Sequence, residues 1–119
     1  MKKILVLLMT AVMAMSLCAC GSKKDDVYTV GICQLVQHDA LDAATKGFKD
    51  ALIEEFGEDG VKFDEQNAQG DANTCSTIIN GFVSSDVDLI LANATPALQA
   101  AAAGTDTIPI LGTSVTEYG

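Results

Sequence analysis

Uncharged hydrogen-bonding side chains follow several apolar segments of the chain, and together they could hold a small polar molecule. Gln34 follows the apolar run that ends at Cys33, and Asn93 follows the run that ends at Ala92. Ser114 and Thr116 follow a third run, near the end of the sequence. Amides and hydroxyls offer both donors and acceptors of hydrogen bonds. The set therefore predicts a site for a small ligand with mixed donors and acceptors.

Thr95 and Pro96 give the sharpest local signal for such a site. Threonine is a common helix N-cap and proline is favoured at the first helical position, so a helix is predicted to begin here. The free N–H groups and the dipole of a helix N-terminus can hold a carboxylate. Simple capping is the alternative, but Asn93 on the same turn and Ser114 and Thr116 on the next loop strengthen the binding interpretation.

The other candidates are four polar residues that follow the first apolar run, namely Gln34, His38, Asp39 and Asp42. The amide of Gln34 fits an amino-acid head group, with a solvated loop residue as the alternative. His38 is the only histidine, and the sequence positions no nucleophile beside it, so we expect it to stack on a ligand or lie at the rim of a cleft. Asp39 and Asp42 are expected in the first turn of a helix, where carboxylates favour the dipole. Asp39 facing a ligand ammonium is the alternative.

Enzyme motifs are missing from the sequence. It has no G-x-x-x-x-G-K-[ST] loop, no G-x-G-x-x-G after the first apolar run and no G-x-S-x-G. A receiver domain would need acidic residues at the end of the first strand and an aspartate at the end of the third. This chain has Gln34 and Asn93 at those places. We therefore predict that the protein is not an enzyme and uses no cofactor.

The N-terminus has the pattern of a lipoprotein signal peptide. Two lysines precede a 14-residue apolar run over 4–17. A helix of that length, at about 1.5 Å per residue, is too short to span the ~30 Å bilayer core. The run ends in the lipobox Leu-Cys-Ala-Cys-Gly at 17–21. We predict that residues 1–19 are removed and that Cys20 carries a diacylglycerol thioether and palmitate. An ordinary cleaved signal is the alternative.

The mature chain would be held outside the cell membrane by this anchor, with residues 20–26 as a tether and 27–119 as the domain. It keeps all 16 acidic residues and five of the seven lysines and has no arginine, so its net charge is −11. This charge argues against nucleic acid as a partner. Cys33 and Cys75 are expected to be buried free thiols, with a disulfide as the alternative. One histidine and no mature Cys-x-x-Cys make a zinc site unexpected.

Strand and helix patterns alternate through the domain. Strand patterns occupy 27–33, 61–65, 87–92 and 108–111, and helical patterns occupy 40–56, 74–85 and 95–103. The apolar stripe of the first helix includes Phe48, Leu52 and Phe56, and Gly57 ends it; Val83 is among the residues of the second helix that are expected to point inward. This order predicts an α/β fold, a parallel sheet with helices on both faces, in which the more polar second strand lies near an edge. Ligands of open α/β sheets bind outside the carboxyl ends of the strands, which is where all the polar segments fall. No helix follows the fourth strand to cover it, so we expect a fragment of a longer protein.

Five segments of the chain match one family when they are taken together. They are VGICQLVQHDALDAA (30–44), GFKDAL (47–52), NAQGD (67–71), DLILANATPA (88–97) and IPILGTSVT (108–116). The chain in this respect resembles the tryptophan/tyrosine-type substrate-binding lipoproteins of ABC transporters.

The resemblance implies a two-lobed periplasmic-binding-protein-like fold of type I, of which this chain is the incomplete N-terminal lobe. It implies capture of a small solute, an aromatic amino acid above all, and its delivery to an ABC permease and its ATPase. Ligand contacts would fall on Gln34, Thr95, Ser114 and Thr116. A membrane-tethered ligand-sensing domain of the same fold, acting in signalling, is the alternative function.

Overall fold

Strands and helices alternate along residues 26–116, which are the residues that the computed structural model describes. The predicted signal peptide, Cys20 and all of the predicted tether except Asp26 lie outside them. The elements are β1 (Tyr28–Gln34), α1 (Asp39–Phe56), β2 (Val61–Asn67), α2 (Ala72–Ser84), β3 (Leu89–Asn93), α3 (Thr95–Gly104) and β4 (Ile110–Thr113).

The four strands form one sheet in the order β2-β1-β3-β4, and every neighbouring pair is parallel. The predicted parallel α/β sheet is confirmed, as is the position of the second strand at an edge. The register brings the strand ends into line. Gln34 pairs with Asn67 on one side and with Asn93 on the other, and Asn93 pairs with Thr113.

Helix α1 covers one face of this sheet. Val30 and Ile32 of β1 and Leu91 of β3 are buried there, packed against Phe48 and Leu52 of the helix. Successive side chains of a strand point to opposite faces, so these alternate residues form a single apolar surface. The next position in each series is polar, Gln34 in β1 and Asn93 in β3.

Helices α2 and α3 cover the opposite face. The largest group of buried side chains lies here and includes Cys33, Ile79, Phe82, Ile90 and Ala101. The small residues of α3 lie close to the sheet, and Gly31 of β1 makes room for the ring of Phe82. A Cβ at Gly31 would lie 2.6 Å from two carbons of that ring. The predicted helices on both faces are confirmed.

Some predicted boundaries and inward-facing positions are wrong. Helix α2 begins at Ala72, two residues early, because the carboxylate of Asp71 accepts a hydrogen bond from the Asn73 N–H and caps it. Phe56 and Val83, both predicted to point inward, are 46% and 37% exposed. They lie in the last turns of their helices. The ring of Phe56 instead packs beside that of Tyr28, with centroids 5.0 Å apart.

Cys33 and Cys75 are buried free thiols, as predicted. Burial, with a smaller contribution from Cys75, raises the pKa of Cys33 to about 12. Burial also raises the pKa of Cys75. Both side chains therefore stay protonated at neutral pH and pack as small apolar groups. Within residues 26–116, no helix is both long and apolar enough to cross a membrane.

Candidate functional site

The carboxyl ends of β1 and β3 carry two polar side chains that point into the protein. Gln34 is 4% exposed and Asn93 is fully buried. Both lie on the face of the sheet that α1 covers, because they continue the alternation of the buried apolar residues before them. Buried polar groups need hydrogen-bond partners, and α1 supplies most of those that Gln34 and Asn93 have.

The amide of Gln34 is held at both of its ends. Its Nε2 donates to the main-chain oxygen of Val36 at 2.8 Å and to Oδ1 of Asp42 at 2.6 Å. Its Oε1 accepts from the hydroxyl of Thr45 at 2.7 Å. The alternative that Gln34 is a solvated loop residue is therefore wrong. The residue is the last one of β1, and α1 packs over it.

Thr45 and Asn93 complete this group, and we call the three residues Gln34, Thr45 and Asn93 the buried polar triad. Asn93 Nδ2 donates to Thr45 Oγ1 at 2.9 Å and to the main-chain oxygen of Leu41 at 2.8 Å. Among the described residues, Asn93 Oδ1 is buried without a hydrogen-bond partner.

Sequence reasoning missed Thr45, which is 2% exposed. It also assigned Asp42 only to the helix dipole. The signal was present, because Thr45 lies four residues after Leu41 and three before Phe48, on the apolar side of α1. A polar residue in that position indicates a partner across the helix–sheet interface.

An open cavity of about 380 Å³ lies beside the triad, at the ends of β1 and β2. Its walls are polar, with two carboxylates and no lysine: Gln34, Gln37, Asp42, Glu65, Gln66 and Asn67. This lining favours a ligand group that donates hydrogen bonds or carries a positive charge. The residues described include no cluster of three or more side chains suited to hold a metal ion.

Thr95 is not the N-cap of α3, and this prediction is wrong. Ala94 occupies the cap position with φ 96° and ψ 159°, and no side chain caps the helix. The hydroxyl of Thr95 is directed to the next strand end instead. It accepts a hydrogen bond from the Thr116 N–H at 3.3 Å and lies 3.3 Å from the Thr116 hydroxyl. Pro96 does lie at the start of the helix, as predicted.

The predicted ligand contacts thus form two groups along one rim. Gln34 bonds to residues of α1, whereas Thr95 and Thr116 bond to each other on the β4 side. Ser114 lies in the loop after β4, exposed and with φ 56°. Left-handed backbone in a residue other than glycine costs about 1–3 kcal/mol and is common at ligand sites.

The residues at the start of α1 have the placement that the sequence indicated. Asp39 and Asp42 lie in the first turn, as predicted. His38 is exposed and is the N-cap, and its Nδ1 accepts a hydrogen bond from the Ala40 N–H at 3.1 Å. The sequence analysis did not anticipate this capping role. The ring therefore has one nitrogen engaged with the main chain and stands at the rim of the sheet.

Comparison with known proteins gives a consistent assignment. The family model described as ABC transporter substrate binding protein matches residues 29–118. The "Tyrosine-binding protein" of Clostridioides difficile (strain R20291) is 42% identical over an alignment 132 positions long. The alignment covers 98% of this chain and 38% of that protein.

Solved structures agree in fold. A ligand-free, open substrate binding protein with adhesive properties from Clostridium difficile matches with a TM-score of 0.73 at 46% identity, over 76% of this chain and 32% of that one. An ABC domain from Streptococcus pneumonia in complex with L-Trp matches with a TM-score of 0.73 at 34% identity, over 77% and 32%. The chain thus spans about a third of the length of the relatives it matches.

Proposed function

The chain belongs to the ABC transporter substrate-binding protein family, and from this premise we propose the function of the intact protein. It is the extracytoplasmic solute-binding component of an ABC importer. It captures an aromatic amino acid and delivers it to a membrane permease and its ATPase. No catalytic step is part of this proposal.

The observation that carries the proposal is the buried polar triad at the carboxyl ends of β1 and β3. Open α/β sheets bind ligands at this place. A polar network buried beneath it keeps the site in one geometry, because each hydrogen bond restricts the next side chain. The lining of the adjacent cavity is polar and accepts hydrogen bonds, which suits an ammonium group.

The two groups of rim residues suit the two ends of an amino acid. Gln34 and Asp42 offer acceptors to the ammonium. Thr95, Ser114 and Thr116 surround the start of α3, where hydroxyls and free main-chain N–H groups can hold the carboxylate. The names of two relatives, one tyrosine-binding and one complexed with L-Trp, support an aromatic side chain. In this proposal Gln34, Thr95, Ser114 and Thr116 are the ligand contacts of this lobe.

The proposed location follows from the N-terminal sequence. Cys20 lies outside the described residues, and its lipidation is supported by the lipobox alone. A lipid on Cys20 and a tether over 20–26 would hold the binding domain at the outer surface of the membrane. The permease would then lie within reach of a captured solute.

Thermal unfolding of the intact protein with a panel of amino acids tests the proposal. A ligand that binds only the folded state stabilises it by about 2.7 kcal/mol at a concentration of 100 times its Kd. We expect L-tyrosine or L-tryptophan to raise the Tm, and L-alanine and L-glutamate at equal concentration to leave it unchanged. A panel in which no aromatic amino acid stabilises the protein would contradict the proposal.

A further inference from the structure

Two main-chain carbonyls decide which way the amides of the buried polar triad point. A carbonyl oxygen only accepts hydrogen bonds, so the side-chain atom that faces it must be the NH₂ nitrogen. Asn93 faces the oxygen of Leu41 at 2.8 Å, and Gln34 faces the oxygen of Val36 at 2.8 Å. Each amide is therefore locked against rotation by 180°, since rotation would place two acceptors in contact.

The hydroxyl of Thr45 links the two locked amides in one direction. Asn93 Nδ2 can only donate, so Thr45 Oγ1 accepts from it at 2.9 Å. The hydrogen of that hydroxyl is then free to go to Gln34 Oε1 at 2.7 Å. Donation runs from Asn93 through Thr45 to Gln34, and from Gln34 Nε2 to Asp42 Oδ1 at 2.6 Å.

This direction limits what Gln34 can offer to a ligand. Both hydrogens of its Nε2 are used, one on Val36 and one on Asp42. Its Oε1 has two lone pairs and accepts one hydrogen bond within the described part of the chain, from Thr45. A ligand group that meets Gln34 therefore meets an acceptor, and the neighbouring carboxylate of Asp42 is an acceptor as well.

We infer that Thr45 and Asn93 are positioning residues, which hold Gln34 as a hydrogen-bond acceptor and so select a ligand with an N–H donor, such as the ammonium of a free amino acid. The inference deepens the proposed function and depends on it. Neither residue needs to touch the ligand. Thr45 is 2% exposed and Asn93 is fully buried, so both act through Gln34.

The variant Thr45→Val removes the hydroxyl and keeps the shape of the side chain. Gln34 Oε1 then loses its internal donor, and of the residues of α1 only Asp42 still bonds to the amide, through Nε2. We expect the affinity of the intact protein for L-tyrosine or L-tryptophan to fall about tenfold or more, the effect of misplacing one hydrogen bond to a charged group. Isothermal titration calorimetry on folded protein measures it.

Two control variants separate positioning from stability. Thr45→Ser keeps the hydroxyl, and we expect it to restore the affinity to within about threefold of the wild type. Thr77→Val removes an exposed hydroxyl on α2 that donates to the Asn73 oxygen of its own helix, and we expect no change in affinity. If Thr45→Val does not fold, Thr45→Ala removes the same hydroxyl without placing a methyl group against Gln34.

A comparison of two ligands shows whether Gln34 recognises the ammonium group of the amino acid. The second ligand is 3-(4-hydroxyphenyl)propionate or indole-3-propionate, which lacks the ammonium and is measured by competition. We expect Thr45→Val to weaken binding of the amino acid and to leave that of the propionate unchanged, so the ratio of the two affinities narrows. Equal losses for both ligands, or no loss for either, would overturn the inference. A wild-type protein that binds neither tyrosine nor tryptophan would instead overturn the proposed function.

Discussion

Replacing Gly31 by alanine is a direct test of how the sheet packs beneath the site. Gly31 lies in β1, three residues before Gln34, and the ring of Phe82 rests against its backbone. A Cβ built on Gly31 would lie 2.6, 2.6 and 2.9 Å from three carbons of that ring. Carbon atoms make favourable contact at about 3.5–4.0 Å, so the ring would have to move by roughly 1 Å.

The expected destabilisation is set by two opposing effects. Phe82 is 1% exposed and packs among buried residues, so the ring cannot move without disturbing the core. Overpacking of this kind costs about 1–3 kcal/mol. Alanine recovers about 0.5–1 kcal/mol by restricting the unfolded chain. We therefore expect Gly31→Ala to lower the free energy of unfolding by about 1–2 kcal/mol.

Urea denaturation of the intact protein, with two matched variants, measures this effect. Gly81→Ala lies on α2, where a new Cβ meets nothing within 4 Å. It should stabilise by about 0.5–1 kcal/mol, as glycine to alanine does in an open helical position. Phe82→Leu leaves room beside residue 31, so the double variant Gly31→Ala/Phe82→Leu should be more stable than the two single effects predict, by about 1 kcal/mol. Additive effects, or a Gly31→Ala protein as stable as Gly81→Ala, would refute the packing described.

Four further predictions concern the thiols, the rim and the anchor. In a form that starts after Cys20, we expect Cys33 and Cys75 to react with Ellman's reagent at pH 8 about a hundredfold more slowly than in urea, because burial keeps both thiols protonated and covered; equal rates would contradict it. Burial raises the pKa of both thiols, so the folded state is favoured below pH 9.0, the ordinary value. The contribution of Cys33 to stability is lost as the pH rises toward its folded-state pKa of about 12. Urea titrations between pH 8 and 11 should therefore show a larger decline in the free energy of unfolding for the wild type than for Cys33→Ala. Thr95→Val breaks the contact with Thr116 and should lower ligand affinity about tenfold while changing the free energy of unfolding by less than about 1 kcal/mol, since the bond is exposed; unchanged affinity by calorimetry would remove Thr95 from the site. Cys20→Ser should abolish the incorporation of labelled palmitate that we expect in the wild-type protein, and a wild-type protein that takes up no label would contradict the proposed lipid anchor.

The fold could be predicted because each level of the sequence points to the same answer. The apolar run of β1, the stripe that includes Phe48 and Leu52, and the stop at Gly57 are local signals with local causes. The alternation of strands and helices along the chain then favours a parallel sheet. The errors lie at the ends of helices and strands, where a single side chain can determine the boundary. Asp71 starts α2 early by capping it.

The site was predicted only in part, because its polar residues depend on partners distant in sequence. Asn93 bonds to Thr45, 48 residues away, and no spacing within one helix or strand reveals that contact. Gln34 was predicted to follow the first strand directly; it is instead the last residue of that strand, and its burial depends on α1 lying over it. Thr95 has the residue type of an N-cap, yet the loop after β4 offers its hydroxyl a different partner, Thr116.

The most direct test of the account is a crystal structure of the intact protein grown with L-tyrosine or L-tryptophan. We predict electron density for the amino acid at the carboxyl ends of β1, β3 and β4. Its ammonium should lie within hydrogen-bond distance of Gln34 Oε1, and its carboxylate should lie beside Thr95, Ser114 and Thr116. Density for the amino acid away from these strand ends, or an ammonium turned away from Gln34, would contradict the account.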